Sequence, residues 1–255
     1  MPSKLRILNV TKAPRDFTAR VLRAVGLADR FAAFKSPIGR VYVAWNERGI
    51  SAVMRVADET AFEREFAARF GRSVEPTAKI PVTLRRAIAT GDSAAARKLR
   101  YDLRSLTPFE GAVLRKALEI PRGQVRPYGW IAREIGKPKA VRAVGTALAK
   151  NPIPLLLPCH RVVRTDGMIG NYALGGSAKK KMLLTSEGVN LKMLAEKARA
   201  GVRFNGATST KIFCWPTCGG PNQRLLPKNT RPFHDEREAR AAGYRPCKVC
   251  RPAAA

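Results

Sequence analysis

Four of the five cysteines fall in two close pairs, Cys214-x3-Cys218 and Cys247-x2-Cys250, separated by 28 residues. Each short pair supplies two adjacent corners of a tetrahedron from one tight turn, so the four thiolates predict a closed site for one Zn2+ held by Cys214, Cys218, Cys247 and Cys250. A disulfide framework is disfavoured, because an odd count leaves one thiol over and a reducing compartment keeps such thiols free. The spacing therefore fixes a small metal-organised unit in the last quarter of the chain. Four unrelated buried cysteines are the weaker alternative.

The fifth cysteine stands beside one of the two histidines, in Pro158-Cys159-His160-Arg161-Val162-Val163. A thiol attacks only as thiolate, and an imidazole or cationic surroundings can bring its pKa from about 8.5 to about 3.5–7.5. A packed cysteine next to a surface histidine would look the same locally. What weighs for chemistry is the charge: 48 Lys and Arg face 19 Asp and Glu, a formal +29. That excess calls for an anionic partner, nucleic acid before an anionic membrane. The most apolar run, Ile153 to Leu157, is bracketed by prolines and far too short to span a bilayer. The N-terminus shows no signal-peptide apolar region. An intracellular protein, cytoplasmic or at the nucleoid, with no membrane partner is expected.

The chain divides by pattern. An amphipathic helix is expected from Asp16, with Phe17, Val21 and Val25 on one face and no role assigned. From Ser36-Pro37-Ile38-Gly39 the period changes to two, with Val41, Val43 and Trp45 alternating against Tyr42, Ala44 and Asn46 as a half-buried strand. Asn46 to Gly49 reads as a turn and Ile50 to Val56 as the returning strand. Phe62, Phe66 and Phe70 then mark a helix from Glu59 that Gly71 stops. After a polar stretch, 91–104, Thr107-Pro108-Phe109-Glu110 opens a helix with Val113, Leu114 and Leu118 as its stripe. Tyr128 to Gly136 and Lys139 to Lys150 have the proportions of a helix-turn-helix. In the second helix Val141, Val144 and Leu148 share a face. The small residues Ala143, Gly145, Thr146 and Ala149 lie elsewhere and would let its backbone approach a groove; a plain helical hairpin is the alternative. Asn151-Pro152-Ile153-Pro154 breaks that helix and leads into a buried strand ending at Cys159. A glycine-rich loop around Tyr172, a helix from Ser177 to Leu184 and a linker follow. The tail from residue 200, with 10 Lys and Arg against 3 Asp and Glu, is again basic.

With these residues in view, the stretch from Ser36 to Glu187 resembles the O6-alkylguanine-DNA alkyltransferases, methylated-DNA-protein-cysteine methyltransferases, through Pro158-Cys159-His160-Arg161-Val162 and its context: Ser36-Pro37-Ile38-Gly39, Tyr128-Gly129, Asn151-Pro152 and Gly170-Asn171-Tyr172. The stretch from Arg203 to Pro252 resembles the zinc-binding methyl-acceptor domain of bacterial adaptive-response (Ada) proteins, through Phe213-Cys214-Trp215-Pro216-Thr217-Cys218 and Gly243 to Pro252. In those proteins the zinc domain usually leads, whereas here it trails, and no second DNA-reading domain is expected after Cys250.

The resemblance implies an α+β multidomain chain: an extension (1–32), a ribonuclease-H-like α/β domain (33–104), a helical alkyltransferase domain containing the helix-turn-helix (105–190), a linker (191–202) and a tetra-cysteine zinc domain (203–255). It implies that Cys159 takes the alkyl group from O6 of guanine in double-stranded DNA once and irreversibly. His160 would act as base through a water and Glu187 would orient it. Tyr128 would hydrogen-bond the base, amides of the Tyr172–Ala173 loop would meet O6, and Asn151 would tie the helix-turn-helix to the active-site strand. Arg142 would fill the gap left by the flipped base, with Thr146, Ala149, Lys150 and Arg161 near DNA. Cys214 would be both ligand and acceptor of a methyl from a phosphotriester, with Arg245, Lys248 and Arg251 holding phosphate. The implied protein is a monomer with zinc and no organic cofactor. A non-enzymatic zinc DNA-binding or regulatory protein is the alternative, which the intact Cys-His pair and Glu187 disfavour. A cysteine hydrolase is disfavoured because neighbours on a strand point to opposite faces.

Overall fold

A computed structural model of the chain describes residues 17–25, 28–219 and 226–252. Helix α1 (Phe17–Ala24) comes first, and its Phe17, Val21 and following Val25 are exposed. The expected start at Asp16 lies outside the described residues. Strands β1 (Ala28–Ser36), β2 (Gly39–Asn46) and β3 (Gly49–Met54) pair antiparallel in succession. Ser36-Pro37-Ile38-Gly39 is thus the hairpin turn, not a strand start: Ser36 Oγ donates to Gly39 O at 2.7 Å. The sheet begins at Ala28, ahead of the expected boundary at 33. Charged Asp29 and Lys35 inside an alanine-rich strand hide its period. Asp29 is fully buried yet satisfied by Asn46, Ser51 and Arg72.

The expected half-buried strand is covered on both faces. Val41, Val43 and Trp45 enter the main core, while Tyr42 and Ala44 meet Phe62 and Phe66 of helix α2 (Glu59–Phe70) in a second cluster. Asp58 caps α2 and Gly71, at φ 63°, ends it in the left-handed region where glycine is favoured. Strand β4 (Ser73–Pro76) then pairs parallel with β1, giving the order β3-β2-β1-β4.

Two helices, α3 (Val82–Thr90) and α4 (Ser93–Arg97), follow, the second inside what reads as a polar stretch; Asp92 starts it by accepting from Ala94 N. Helix α5 (Pro108–Leu118) opens with the expected capping box, Thr107 and Glu110 exchanging bonds. Strand β5 (Arg126–Pro127) leads directly into α6 (Tyr128–Glu134), and α7 (Val141–Ala149) follows the turn at Gly136. Strand β6 (Val162–Val163) pairs parallel with β5. Helix α8 (Gly176–Ser186) comes next. The expected linker is mostly helix: α9 (Leu191–Arg199), capped by Asn190 and anchored by buried Leu194. Leu191 and Met193 pack beside it, half-buried, and the charged residues around them conceal the helix in the sequence.

A second sheet ends the fold. Strands β7 (Phe204–Ala207), β8 (Ile212–Cys214), β9 (Thr230–Phe233) and β10 (Arg245–Pro246), with helix α10 (Glu236–Ala241), give the order β10-β8-β7-β9. Gly206 on β7, one of the two inner strands, admits no side chain, since a Cβ there would lie 2.5 Å from the Phe233 ring. No described helix is long and apolar enough to cross a membrane.

Candidate active site and metal centre

Residues 152–157 turn rather than extend, with Leu155 at φ 73°, and Cys159–Arg161 form one 3-10 turn before β6. The strand-alternation argument therefore does not apply to Cys159 and His160, and both are buried. Asn151 fixes the turn: its Nδ2 donates to Leu157 O at 2.8 Å and to Cys159 Sγ at 3.2 Å, while its Oδ1 accepts from Ile153 N. From the N-terminal sheet, Val53 N donates to Pro152 O.

The imidazole is held from behind. His160 Nε2 lies 3.0 Å from Glu187 Oε1. Burial pushes the Glu187 carboxyl up, but the bonds from His160 and Arg161 outweigh it and hold the group down at about 2. An ionised carboxylate only accepts, so Nε2 carries the hydrogen and Nδ1 is left as the basic atom of a neutral ring. Nδ1 is buried without a hydrogen-bond partner, so no direct bond joins it to Cys159. Burial lowers the imidazole's affinity for a proton against the opposing pull of Glu187. It likewise raises the Cys159 thiol, which the Asn151 bond and the Lys180 charge offset only in part. The neighbouring-cation argument predicts a lowered thiol, and desolvation overrides it. The resting pair is thiol plus neutral imidazole.

Arg161 is not a DNA contact. Only 1% exposed, it spends its donors inside the chain, on both oxygens of Glu187, Ser93 Oγ, Ile120 O and Gly91 O. Lys180 is equally buried, with Nζ donating to Val162 O at 2.6 Å, and burial brings it down to about 8 against the pull of Cys159. Its place was readable: 180, 183, 184 and 187 share one helical face, and Leu183, Leu184 and Glu187 are all buried.

In front of Cys159 a cavity of about 280 Å³ opens between Tyr128, Gly145, Leu148, Ala149, Asn171, Tyr172 and Ala173, near the lower end of ligand pockets at about 300–1,000 Å³. Burial and the nearby sulfur raise the Tyr128 hydroxyl, which thus keeps its proton. Tyr172 OH is buried and unpartnered. Arg142, Ala143, Thr146, Ala149 and Lys150 are exposed on one side of α7, while Val144, Ala147 and Leu148 are buried and Val141 is half-buried. Lys150 also pairs with Glu110 at 2.7 Å.

At the other centre, parallel pairing of β10 with β8 brings the two cysteine pairs together. The four Sγ atoms lie within 4.8 Å of one another and all four residues are buried. A zinc–sulfur distance of about 2.3 Å sets tetrahedral sulfur–sulfur edges of about 3.8 Å, so a soft divalent ion fits with slight closure. Arg245 and Lys248 are exposed. Arg251 instead reaches Glu134 at 2.8 Å and Glu119 at 3.2 Å. Its charge is engaged within the chain because it follows Cys250 directly and faces α5 and α6.

Both parts of the chain that carry these centres match known families. The profile of the 6-O-methylguanine DNA methyltransferase, DNA binding domain, matches residues 108–189, and that of the metal binding domain of Ada matches 192–253. The methylated-DNA–protein-cysteine methyltransferase of Mus musculus is 34% identical over 173 residues, covering 63% of this chain and 82% of the mouse protein. This chain belongs to the methylated-DNA–protein-cysteine methyltransferase family. The bifunctional transcriptional activator/DNA repair enzyme Ada of Escherichia coli K12 is 36% identical over 171 residues, a match spanning 65% of this methyltransferase and 48% of Ada. The crystal structure of Mycobacterium tuberculosis OGT in complex with DNA superposes with a TM-score of 0.50 at 28% identity, covering 65% of this methyltransferase and 99% of that chain.

Proposed function

We propose that Cys159 is the acceptor in direct-reversal repair of O6-alkylguanine in DNA. The observation that carries this is the ordered line Cys159, His160, Glu187, Arg161 behind a base-sized cavity. The Sγ–carbon bond forms as the carbon–O6 bond breaks, and the electron pair leaves on guanine. The thiol proton passes through a water to His160 Nδ1, and the ionised Glu187 stabilises the imidazolium. Charge growing on the purine meets the Tyr128 hydroxyl and the amide at Ala173.

The target atom lies inside the duplex, so the nucleotide must be everted at a cost of a few kcal/mol. In this reading α6 and α7 act as a helix-turn-helix, the exposed face of α7 enters the groove, and Arg142 occupies the vacated stack. The N-terminal sheet is read as the ribonuclease-H-like unit on its order β3-β2-β1-β4. Arg245 and Lys248 add phosphate contacts. Zinc, when bound to the four thiolates, supplies charge organisation and a closed local fold. Transfer to Cys214, 1% exposed, requires the module to open.

A thioether has no good leaving group, so transfer must stop. With isotope-labelled O6-methylguanine duplex in excess, label on the protein is expected to level off at one equivalent. Continued turnover, or no label at stoichiometric damage, rejects the proposal.

A further inference from the structure

Arg126 belongs to the methyltransferase half but faces the metal centre of the other. It is 3% exposed, and its guanidinium reaches Val125 O at 2.8 Å and Gln124 Oε1 at 2.5 Å. Neither acceptor carries charge. A buried cation without a counter-charge is costly. The Arg126 guanidinium lies over the Trp130 ring, which Arg251, the neighbour of ligand Cys250, also covers, and the preceding residue Val125 is bonded to Thr217, the neighbour of ligand Cys218. Four thiolates around a divalent ion carry a net charge of about −2, which is the missing partner.

Arg126 does not act alone. Thr217, between two ligand cysteines, both accepts from Val125 N at 2.9 Å and donates to Val125 O at 3.2 Å. Arg133 donates to Pro252 O, and Arg251 lies over the Trp130 ring. One apolar core runs unbroken from Val113 and Trp130 to Phe213 and Trp215. The strand carrying Arg126 pairs with Val162 and Val163, next to the turn that holds Cys159, and Tyr128 follows it directly.

We propose that the tetra-cysteine module is a metal-dependent clamp on the methyltransferase half, with buried Arg126 as the positioning residue that ties metal occupancy to the Cys159 turn. Zinc loss then loosens β5, and with it both Tyr128 and β6. This goes beyond alkyl acceptance, and only the transfer-rate arm of its test rests on that reading.

The test uses the full chain loaded with Zn2+ and challenged with excess chelator, reading zinc release by a colorimetric indicator. Arg126→Met is expected to release zinc at least tenfold faster than the parent, and Arg126→Lys to stay within a few-fold. Thr217→Val should speed release while retaining the charge, and it carries the test should Arg126→Met not fold. Zinc-free parent should show a lowered unfolding midpoint for the whole chain and slower alkylation of Cys159. Equal release from Arg126→Met and parent, or an unfolding midpoint indifferent to zinc, overturns the clamp. A protein never alkylated on Cys159 but showing the release differences would sink the repair reading and leave the clamp standing.

Discussion

Arg161→Met is expected to destabilise the chain by about 3–5 kcal/mol, the range for breaking a buried ion pair by removing one partner. Arg161 is nearly inaccessible and donates to Glu187, Ser93, Ile120 and Gly91. Methionine fills most of the volume but leaves Glu187 charged and buried with only His160 beside it. It also frees the carbonyls of Gly91 and Ile120, so the α3–α4 segment loses its tie to the catalytic turn. Against a total stability of about 5–15 kcal/mol, such a loss is a large share. Urea unfolding checks it: a change below about 1 kcal/mol would show that Arg161 is not the structural centre of the site.

Glu187→Gln keeps the volume but leaves Arg161 buried without its carboxylate, so it should cost stability and also slow alkyl transfer by about 10²–10⁴-fold, the usual contribution of the proton transfer that Glu187 supports. The amide removes the charge that stabilises the imidazolium and places a donor toward His160 or Arg161. The pH dependence separates this from a loss of folding. In the parent, burial depresses the His160 pKa below its ordinary value of about 6.5. The ring is therefore neutral and competent at higher pH, and the rate falls only as acid protonates it below about 6.5. Because Glu187 supports the protonated ring, its neutral replacement should move that acid limb to still lower pH. The thiol, pushed up by burial, adds a rising limb only in the alkaline range. An unchanged rate in Glu187→Gln, or an acid limb that moves upward, would remove Glu187 from the relay.

Much of this site was legible in the chain because its parts have fixed spacing. The tetra-cysteine cluster follows from two short pairs, and the capping box at Thr107 and Glu110 starts α5 at the expected place. Of the residues named through the resemblance, Asn151 bonds Cys159 and His160 bonds Glu187. What escaped depends on long-range burial. Arg161 and Arg126 look like any of the 48 basic residues until packing closes over them. Arg251 looked like a phosphate contact because Glu119 and Glu134 lie far away in sequence. The run from Pro152 to Leu157 reads as strand by hydrophobicity, yet its prolines and the left-handed Leu155 make it turn. That turn lets both the sulfur and the imidazole face the interior.

The decisive question is which of the five thiols is consumed. Peptide mapping after one round with a methyl-labelled O6-methylguanine duplex decides it. The label should sit on the peptide containing Cys159, with Cys159→Ser folded but unlabelled. Label on Cys214 or another thiol, or undiminished demethylation by Cys159→Ser, would contradict it.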